Sequence, residues 1–216
     1  MTDRVQAIYD DIAPQWDARQ GLVERKLMGE GMRRALAMEL RGRVLELGTG
    51  TGATLPFALE NPAIETFTGT DLSVGMLAQA RAKWNALTAG NAPFPADFTE
   101  LDATRLPFPD ASFDSVTASL MLCTVPDPAA TLREMARVCT PEGRIVLLEH
   151  VRAPNVLLAA MQKALTPLQE RVLGCHLDRP TDRLVRDLGF RVDREETRFF
   201  RVFHLIVAHP PAPETP

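Results

Sequence analysis

Apolar positions along this chain switch repeatedly between a period of two and a helical period, and each switch marks the boundary of a predicted element. Apolar-rich runs at Arg43 to Leu47, Glu65 to Thr70, Asp97 to Leu101, Phe113 to Ser119 and Arg144 to Glu149 predict strands. Amphipathic stretches at Gly52 to Leu59, Ser73 to Leu87 and Ala129 to Val138 predict helices between them. Such alternation implies an α/β fold with a parallel sheet covered on both faces. The first forty residues read as two helical pieces broken at Pro14, forming a helical cap over residues 1–42. Beyond residue 150 come an apolar helical stretch from Val156 to about Leu173, a helix from Thr181 to Leu188, and two closing strands near Phe190 to Glu195 and Phe199 to Ala208. One domain is therefore expected over 1–209: the cap (1–42), a ligand-binding core (43–150) and a closing segment (151–209). The proline-rich tail 210–216 is expected to be disordered.

The segment Val44-Leu45-Glu46-Leu47-Gly48-Thr49-Gly50-Thr51-Gly52 carries an apolar strand into a turn of alternating glycines and then toward a helix. Glycines remove the Cβ atoms that would keep a ligand off the backbone, and a helix start offers unpaired N–H groups. Two readings compete. Gly48-x-Gly50-x-x-Ala53, with Asp71 further on for a ribose hydroxyl, satisfies the dinucleotide fingerprint of a nicotinamide-dependent oxidoreductase. Glu46-x-Gly48-x-Gly50-x-Gly52 instead resembles the acidic-glycine signature of S-adenosylmethionine (SAM) methyltransferases. A carboxylate beside the turn repels pyrophosphate but can orient the ammonium end of SAM, so the second reading is favoured.

With 24 basic against 28 acidic residues, non-specific nucleic-acid binding has no global electrostatic support. The N-terminus lacks the apolar stretch of a signal peptide, and no run approaches the roughly 18 apolar residues of a membrane span. A soluble cytoplasmic protein is expected. Cys123, Cys139 and Cys175 are odd in number and far apart in the chain, without a Cys-x-x-Cys, so neither a disulfide framework nor a metal site is expected.

Further segments fall in the order found in class I SAM-dependent methyltransferases. They are Gly69-Thr70-Asp71-Leu72-Ser73-x-x-Met76-Leu77, Leu101-Asp102-Ala103, Leu106-Pro107-Phe108-Pro109-Asp110-x-Ser112-Phe113-Asp114 and Arg137-Val138-x-x-Pro141-x-Gly143. That resemblance implies a Rossmann-like seven-stranded sheet, mostly parallel with an antiparallel last strand, helices on both faces and an N-terminal helical cap. Within the family, Tyr9-Asp10-x-x-Ala13-Pro14-x-Trp16-Asp17 resembles the N-terminal element of ubiquinone and menaquinone C-methyltransferases and phosphatidylethanolamine N-methyltransferases, with Trp16 where Tyr is usual. Leu122-Cys123-Thr124-Val125, Glu149-His150-Val151, Leu165-x-Pro167 and Gly174-Cys175-His176-Leu177-x-Arg179 resemble the methyltransferase-like proteins that methylate alkyl thiols, although this chain does not show their N-terminal anchor.

The resemblance assigns Glu46, Gly48, Thr49, Gly50 and Gly52 to the cofactor turn. Asp71 would take the ribose hydroxyls, unless it only caps a helix; Asp102 would take the adenine amino group beside the Ala103 N–H, unless it only shapes a turn. Leu72 and Met76 would pack on adenine, unless Met76 belongs to the core; Ser119 and Leu120 would floor the transfer pocket; and Tyr9 and Trp16 would close over the sulfonium, unless Trp16 only staples cap to domain. S-adenosylhomocysteine would be the product. His150, at a strand end, is the candidate base or acceptor-positioning group, with His176 and Asp178 a second candidate pair. Cys123 and Cys175 are expected to line apolar space and His204 to be structural.

The expected acceptor is a small apolar or lipid-like molecule. A thiol stands slightly ahead of a phosphatidylethanolamine amine or a quinone carbon, and a non-catalytic SAM-binding regulator is the rival outside enzymes. The helical stretch 156–173 either walls an apolar acceptor pocket or buries its stripe on the sheet. Arg25, Lys26, Arg33, Arg34 and Arg41 of the cap are expected on a solvated face, the alternative being peripheral contact with an anionic membrane surface.

Overall fold

A computed structural model describes residues 2–19, 28 and 30–212. Helix α1 (Thr2–Ile12) ends in a 3-10 turn at Ala13–Gln15, where Pro14 enters in the first-turn position that tolerates its missing N–H. Helical geometry resumes over 16–19, and α2 spans Glu30–Glu39. Two helical pieces broken at the proline are thus present. Arg25 and Lys26 and the last residues of the tail, 213–216, lie outside the described residues.

Strand β1 (Gly42–Leu47), helix α3 (Leu55–Ala58), β2 (Ile64–Asp71), α4 (Val74–Thr88), β3 (Ala96–Glu100), β4 (Phe113–Ser119), α5 (Pro128–Val138) and β5 (Cys139–His150) follow. Helix α6 (Val156–Leu173), α7 (Thr181–Asp187), β6 (Arg191–Arg198) and β7 (Phe203–His209) complete the chain. The seven strands form one sheet in the order β3-β2-β1-β4-β5-β7-β6. All pairs from β3 to β5 are parallel, and β7 runs antiparallel to both β5 and β6.

Apolar side chains alternate between the two faces of this sheet. Val44, Val146 and Leu148 join a cluster with Leu36, Leu55 and Trp84 from α2, α3 and α4. Their neighbours Leu45, Ile145 and Leu147 join a second cluster with Leu132, Met135 and Val185 from α5 and α7. Both faces are therefore dry, which explains why the central strands read as continuous apolar runs. Each such fully buried aliphatic side chain contributes about 1.5–3 kcal/mol relative to exposure.

Three predicted elements are corrected. The helix expected from Gly52 to Leu59 is confined to Leu55–Ala58, because Gly52 sits at φ 76° and residues 51–54 form turns. The strand expected from Phe199 begins only at Phe203, since Phe199, Phe200 and Arg201 all have left-handed φ values between 46° and 60° and form the β6–β7 turn. Strand β5 starts at Cys139, five residues before its predicted start at Arg144, with Cys139 paired to Phe113 across a register shift.

Candidate active site

The strand order reverses at β1 and β4, and a cleft opens there beyond the carboxyl ends of the strands, where open parallel sheets bind ligands. Its volume is about 270 Å³. One end is walled by the β1 turn, Asp71, Leu72, Met76, Asp102 and Ala103, and the other by Cys123, His150, Leu173, Cys175, Leu177 and Phe203. Ser119 and Leu120 lie between the two ends, and Tyr9 and Trp16 also line it.

The turn after β1 is packed closely against the loop that follows β4. Gly48 has φ 64°, and a Cβ there would stand 2.8 Å from Met121 Cβ and closer still to Cγ. Glu46 is fully buried behind the turn and its Oε2 accepts from Thr49 Oγ1 at 2.6 Å. Burial pushes its carboxyl above the usual range, partly offset by the Thr49 and Thr54 hydroxyls and by the charge of Arg33. Asp71 closes β2: its Oδ2 accepts from the Gly50 N–H at 2.8 Å and its Oδ1 from the Ser73 N–H at 2.9 Å. Burial raises the Asp71 carboxyl too, against those backbone donors. The N-cap of α4 is Ser73, whose Oγ accepts from Met76 N at 3.0 Å, so Asp71 braces two loops and is not the helix cap. Asp102 Oδ1 accepts from both the N–H and the hydroxyl of Thr104 at 2.8 and 2.7 Å, a turn-shaping role, while the residue still lines the cleft.

The N-terminal element closes over this end. Asp10 Oδ1 accepts from Ser73 Oγ at 2.6 Å and from Gly75 N at 2.8 Å, anchoring α1 on the start of α4. Asp17 accepts from Thr51 Oγ1 at 2.5 Å and pairs with Lys83 at 2.7 Å. Tyr9 and Trp16 stand with ring centroids 5.4 Å apart.

Arg33 departs from its expected place. It is only 9 % exposed, lines the cleft, and donates from Nη1 to Ser119 Oγ at 2.9 Å. By contrast, Arg34 is an exposed partner of Glu60 and Arg41 donates to the Glu142 carbonyl. In sequence Arg33 is indistinguishable from its solvated neighbours; only its phase on α2 turns it inward.

At the far end, His150 Nε2 lies 3.2 Å from Cys175 Sγ, and its Nδ1 is buried without a hydrogen-bond partner. Glu149, on the preceding position of β5, accepts from the Met121 and Leu122 N–H groups at 2.9 Å each through Oε1, while Oε2 has no hydrogen-bond partner. Burial pushes Glu149 up to about 7. In the adjacent Cys123–Cys175 pair, the hydrogen bond between the thiols and burial push Cys123 up, and the same hydrogen bond, with His150 nearby, lowers Cys175. Burial pulls His150 down, but Cys175 and Glu149 carry it above its usual value. Leu120 takes a left-handed φ of 54° between these groups and the floor of the cleft, a strained placement for a branched side chain.

His176 and Asp178, the second candidate pair, face other partners. Both lie outside the cleft lining: His176 Nδ1 contacts Arg179 Nη2 at 3.4 Å, and Asp178 Oδ1 accepts from Thr166 Oγ1 at 3.1 Å. Their neighbours Cys175 and Leu177 point into the cleft instead. His204 is buried between Glu195 and the Arg201 carbonyl, as a structural histidine. Helix α6 does not bury its stripe on the sheet, and it walls the cleft only through its last turns. Val156, Leu157, Met161, Leu165, Leu168 and Val172 form an exposed outer stripe, and only Ala159 and Gln162 are buried. Gln169 and Leu173 alone reach the cleft from it.

Comparison with known proteins places this arrangement. Residues 45–147 match the family model described as a methyltransferase domain. The chain is 40 % identical over 146 residues to a phosphatidylethanolamine N-methyltransferase of Cereibacter sphaeroides, covering 68 % of each chain. It is 42 % identical over 168 residues to a demethylmenaquinone methyltransferase of Deinococcus radiodurans, covering 73 % of this chain and 64 % of that protein. The match thus spans about two thirds of these relatives' length. The fold is shared with a SAM-dependent methyltransferase of Thermotoga maritima (TM-score 0.69, 18 % identity, 95 % and 99 % of the two chains). A SAM-dependent methyltransferase of Methanosarcina mazei superposes with a TM-score of 0.63 at 21 % identity, over 80 % and 93 % of the chains. The acidic, phosphate-repelling turn and these relationships decide between the two cofactor readings: the protein is an enzyme of the class I SAM-dependent methyltransferase family.

Proposed function

We propose that the enzyme methylates a small apolar or lipid-like acceptor that enters beside His150, with a thiol ahead of an amine or a quinone carbon. The observation that carries this reading is the far end of the cleft, where the His150–Cys175 contact of 3.2 Å is walled by Leu173, Leu177 and Phe203. When bound, SAM supplies a methyl group made electrophilic by its sulfonium. On this reading Asp71 takes the ribose hydroxyls with the lone pairs left free by Gly50 and Ser73. Leu72, Met76 and Ala103 hold the adenine, with Asp102 Oδ2 at its amino edge. Glu46 acts from behind the turn, its negative charge suiting a cationic ligand. Tyr9 and Trp16 cover the sulfonium with aromatic faces.

Displacement on a methyl carbon needs an in-line approach of about 3–3.5 Å, so positioning and exclusion of water supply most of the catalysis. The strained Leu120 and the anchored α1 serve that end, one as floor and one as cover. His150 is placed to take the acceptor's proton or to fix its approach.

A second reading, a phospholipid amine or quinone drawn from a bilayer, is favoured by the exposed apolar stripe of α6 and by the names of the two relatives. Lys163 on α6 and Arg152, Arg183 and Arg201 line a groove against it, a basic rim suited to an anionic lipid surface. No described helix is long and apolar enough to cross a membrane. The test is formation of S-adenosylhomocysteine from labelled SAM with alkyl thiols, phosphatidylethanolamine vesicles, demethylated quinones and small phenols. Turnover on thiols alone supports the first reading, turnover on vesicles or quinones alone replaces it with the second, and silence on all four refutes both.

A further inference from the structure

Three thiophilic side chains, remote from one another in sequence, converge where the acceptor is proposed to sit. Cys123 lies in the loop after β4, His150 ends β5 and Cys175 follows α6, and their ligand atoms all fall within 4.8 Å of one another. We propose that Cys123, His150 and Cys175 bind one zinc ion whose fourth position opens into the cleft and takes the sulfur of a thiol acceptor. The metal site rests on the geometry below; its acceptor role also rests on the thiol reading of the preceding section.

The donor set is that of a catalytic zinc centre. Two thiolates and one imidazole form a soft, closed-shell-metal environment, and three protein ligands leave one position for substrate. Tetrahedral zinc with Zn–S of about 2.3 Å and Zn–N of about 2.0 Å requires ligand atoms about 3.5–3.8 Å apart. The cluster, with one contact at 3.2 Å and all ligand atoms within 4.8 Å of one another, brackets those separations. All three residues line the cleft, onto which the fourth position would open.

The backbone holds the ligands in place without the metal. The His176 N–H donates to the Cys123 carbonyl at 2.9 Å, joining the two cysteine segments directly. His150 pairs with Phe203 of β7, and the left-handed Leu120 turns the chain so that Cys123 faces back toward the sheet. His150 Nε2 is the nitrogen that faces the cysteines, 3.2 Å from Cys175 Sγ. Cys139, the third cysteine, is elsewhere: its Sγ faces the Arg144 carbonyl at 3.7 Å.

With zinc in place the chemistry balances simply. The acceptor thiol binds as thiolate and releases its proton to water. A sulfur lone pair then forms the new bond to the methyl carbon as the methyl–sulfonium bond breaks and its electron pair stays on the cofactor. The products are S-adenosylhomocysteine and a neutral thioether, a weaker ligand that leaves the metal.

The test loads the full chain, chelated and reduced, with zinc or with cobalt(II), followed by dialysis and metal analysis. One equivalent of metal is expected, with the thiolate-to-cobalt charge-transfer and tetrahedral visible bands of a cysteine-bound cobalt(II). Cys175→Ser and Cys123→Ser should lose both signals while still binding S-adenosylhomocysteine by calorimetry, which shows that they are folded; Cys139→Ser should keep both. Substoichiometric metal in the wild type, or metal retained in the Cys123→Ser/Cys175→Ser double variant, overturns the site. Thiol methylation at an undiminished rate by metal-free protein overturns the metal's role, and a fully loaded protein inert on thiols supports the site while overturning the thiol reading.

Discussion

Replacing Asp71 by Asn should weaken cofactor binding beyond what it takes from the fold. Both Asp71 oxygens already accept one backbone N–H each, from Gly50 and from Ser73. Each carboxylate oxygen has a second lone-pair site, and these two sites are the ones assigned to the ribose hydroxyls. A hydrogen bond to a charged group is worth about 1.5–3 kcal/mol, so two amount to about 3–6 kcal/mol. Asn keeps one acceptor and turns the other oxygen into a donor that faces a backbone N–H. At least one ribose bond is lost, a weakening of about ten- to 150-fold, and loss of both extends it to about 10⁴-fold. The fold should lose about 1–3 kcal/mol for the one backbone N–H left facing the amide, offset in part because burial already disfavours the charge at this position in the free protein. Calorimetric titration of S-adenosylhomocysteine, alongside thermal melts of the free proteins, separates the two effects. A Kd within twofold of wild type in a folded Asp71→Asn would remove the ribose assignment. A large fall in melting temperature would mean that the carboxylate is chiefly a brace for the loops.

Gly48→Ala should destabilise the protein by about 1–2 kcal/mol for the left-handed backbone plus about 1–3 kcal/mol for displacing Met121, and should depress cofactor affinity; an unchanged melting temperature would contradict the crowding at this turn. Arg33→Met removes the donor to Ser119 and the nearby charge that favours ionised Glu46, so SAM affinity should fall by about tenfold or more; equal affinity would return Arg33 to a packing role. On the acid side, Arg137, with the Leu106 N–H, holds Glu134 below the usual carboxylate range, and Arg43 does the same for Asp114. A carboxyl whose folded pKa is depressed contributes stability above its unfolded value and loses it as pH falls through the folded one, so unfolding free energy should decline below about pH 4. Glu134→Gln should flatten that decline, and an unchanged acid limb in chemical denaturation would refute it.

Much of the fold was legible because it depends on near neighbours. The limits of β4 and α6 follow directly from apolar period, with Asn155 capping α6 and Gly174 closing it at φ 68°. The break at Pro14, the Ser73 cap and the glycine turn after β1 were equally local. Where glycine or left-handed residues interrupted an apolar pattern, at Gly52 and at Phe199 to Arg201, periodicity overextended the elements, because it registers side chains and not backbone φ. Arg33 and the outer stripe of α6 escaped for a different reason: a helix's own pattern shows that it has an apolar face but not what that face meets.

The sequence by itself determined the alternation of strands and helices, the acidic glycine corner and hence the cofactor, since each is written within a few consecutive residues whose sterics and charge act locally. Only the tertiary structure decided the acceptor end. Parallel register across β1, β4 and β5 sets Leu120 and His150 at one edge of the sheet, and the chain's return after α6 brings Cys175 rather than His176 against them. Convergence of that kind depends on the relative placement of elements far apart in the chain, which no local pattern encodes.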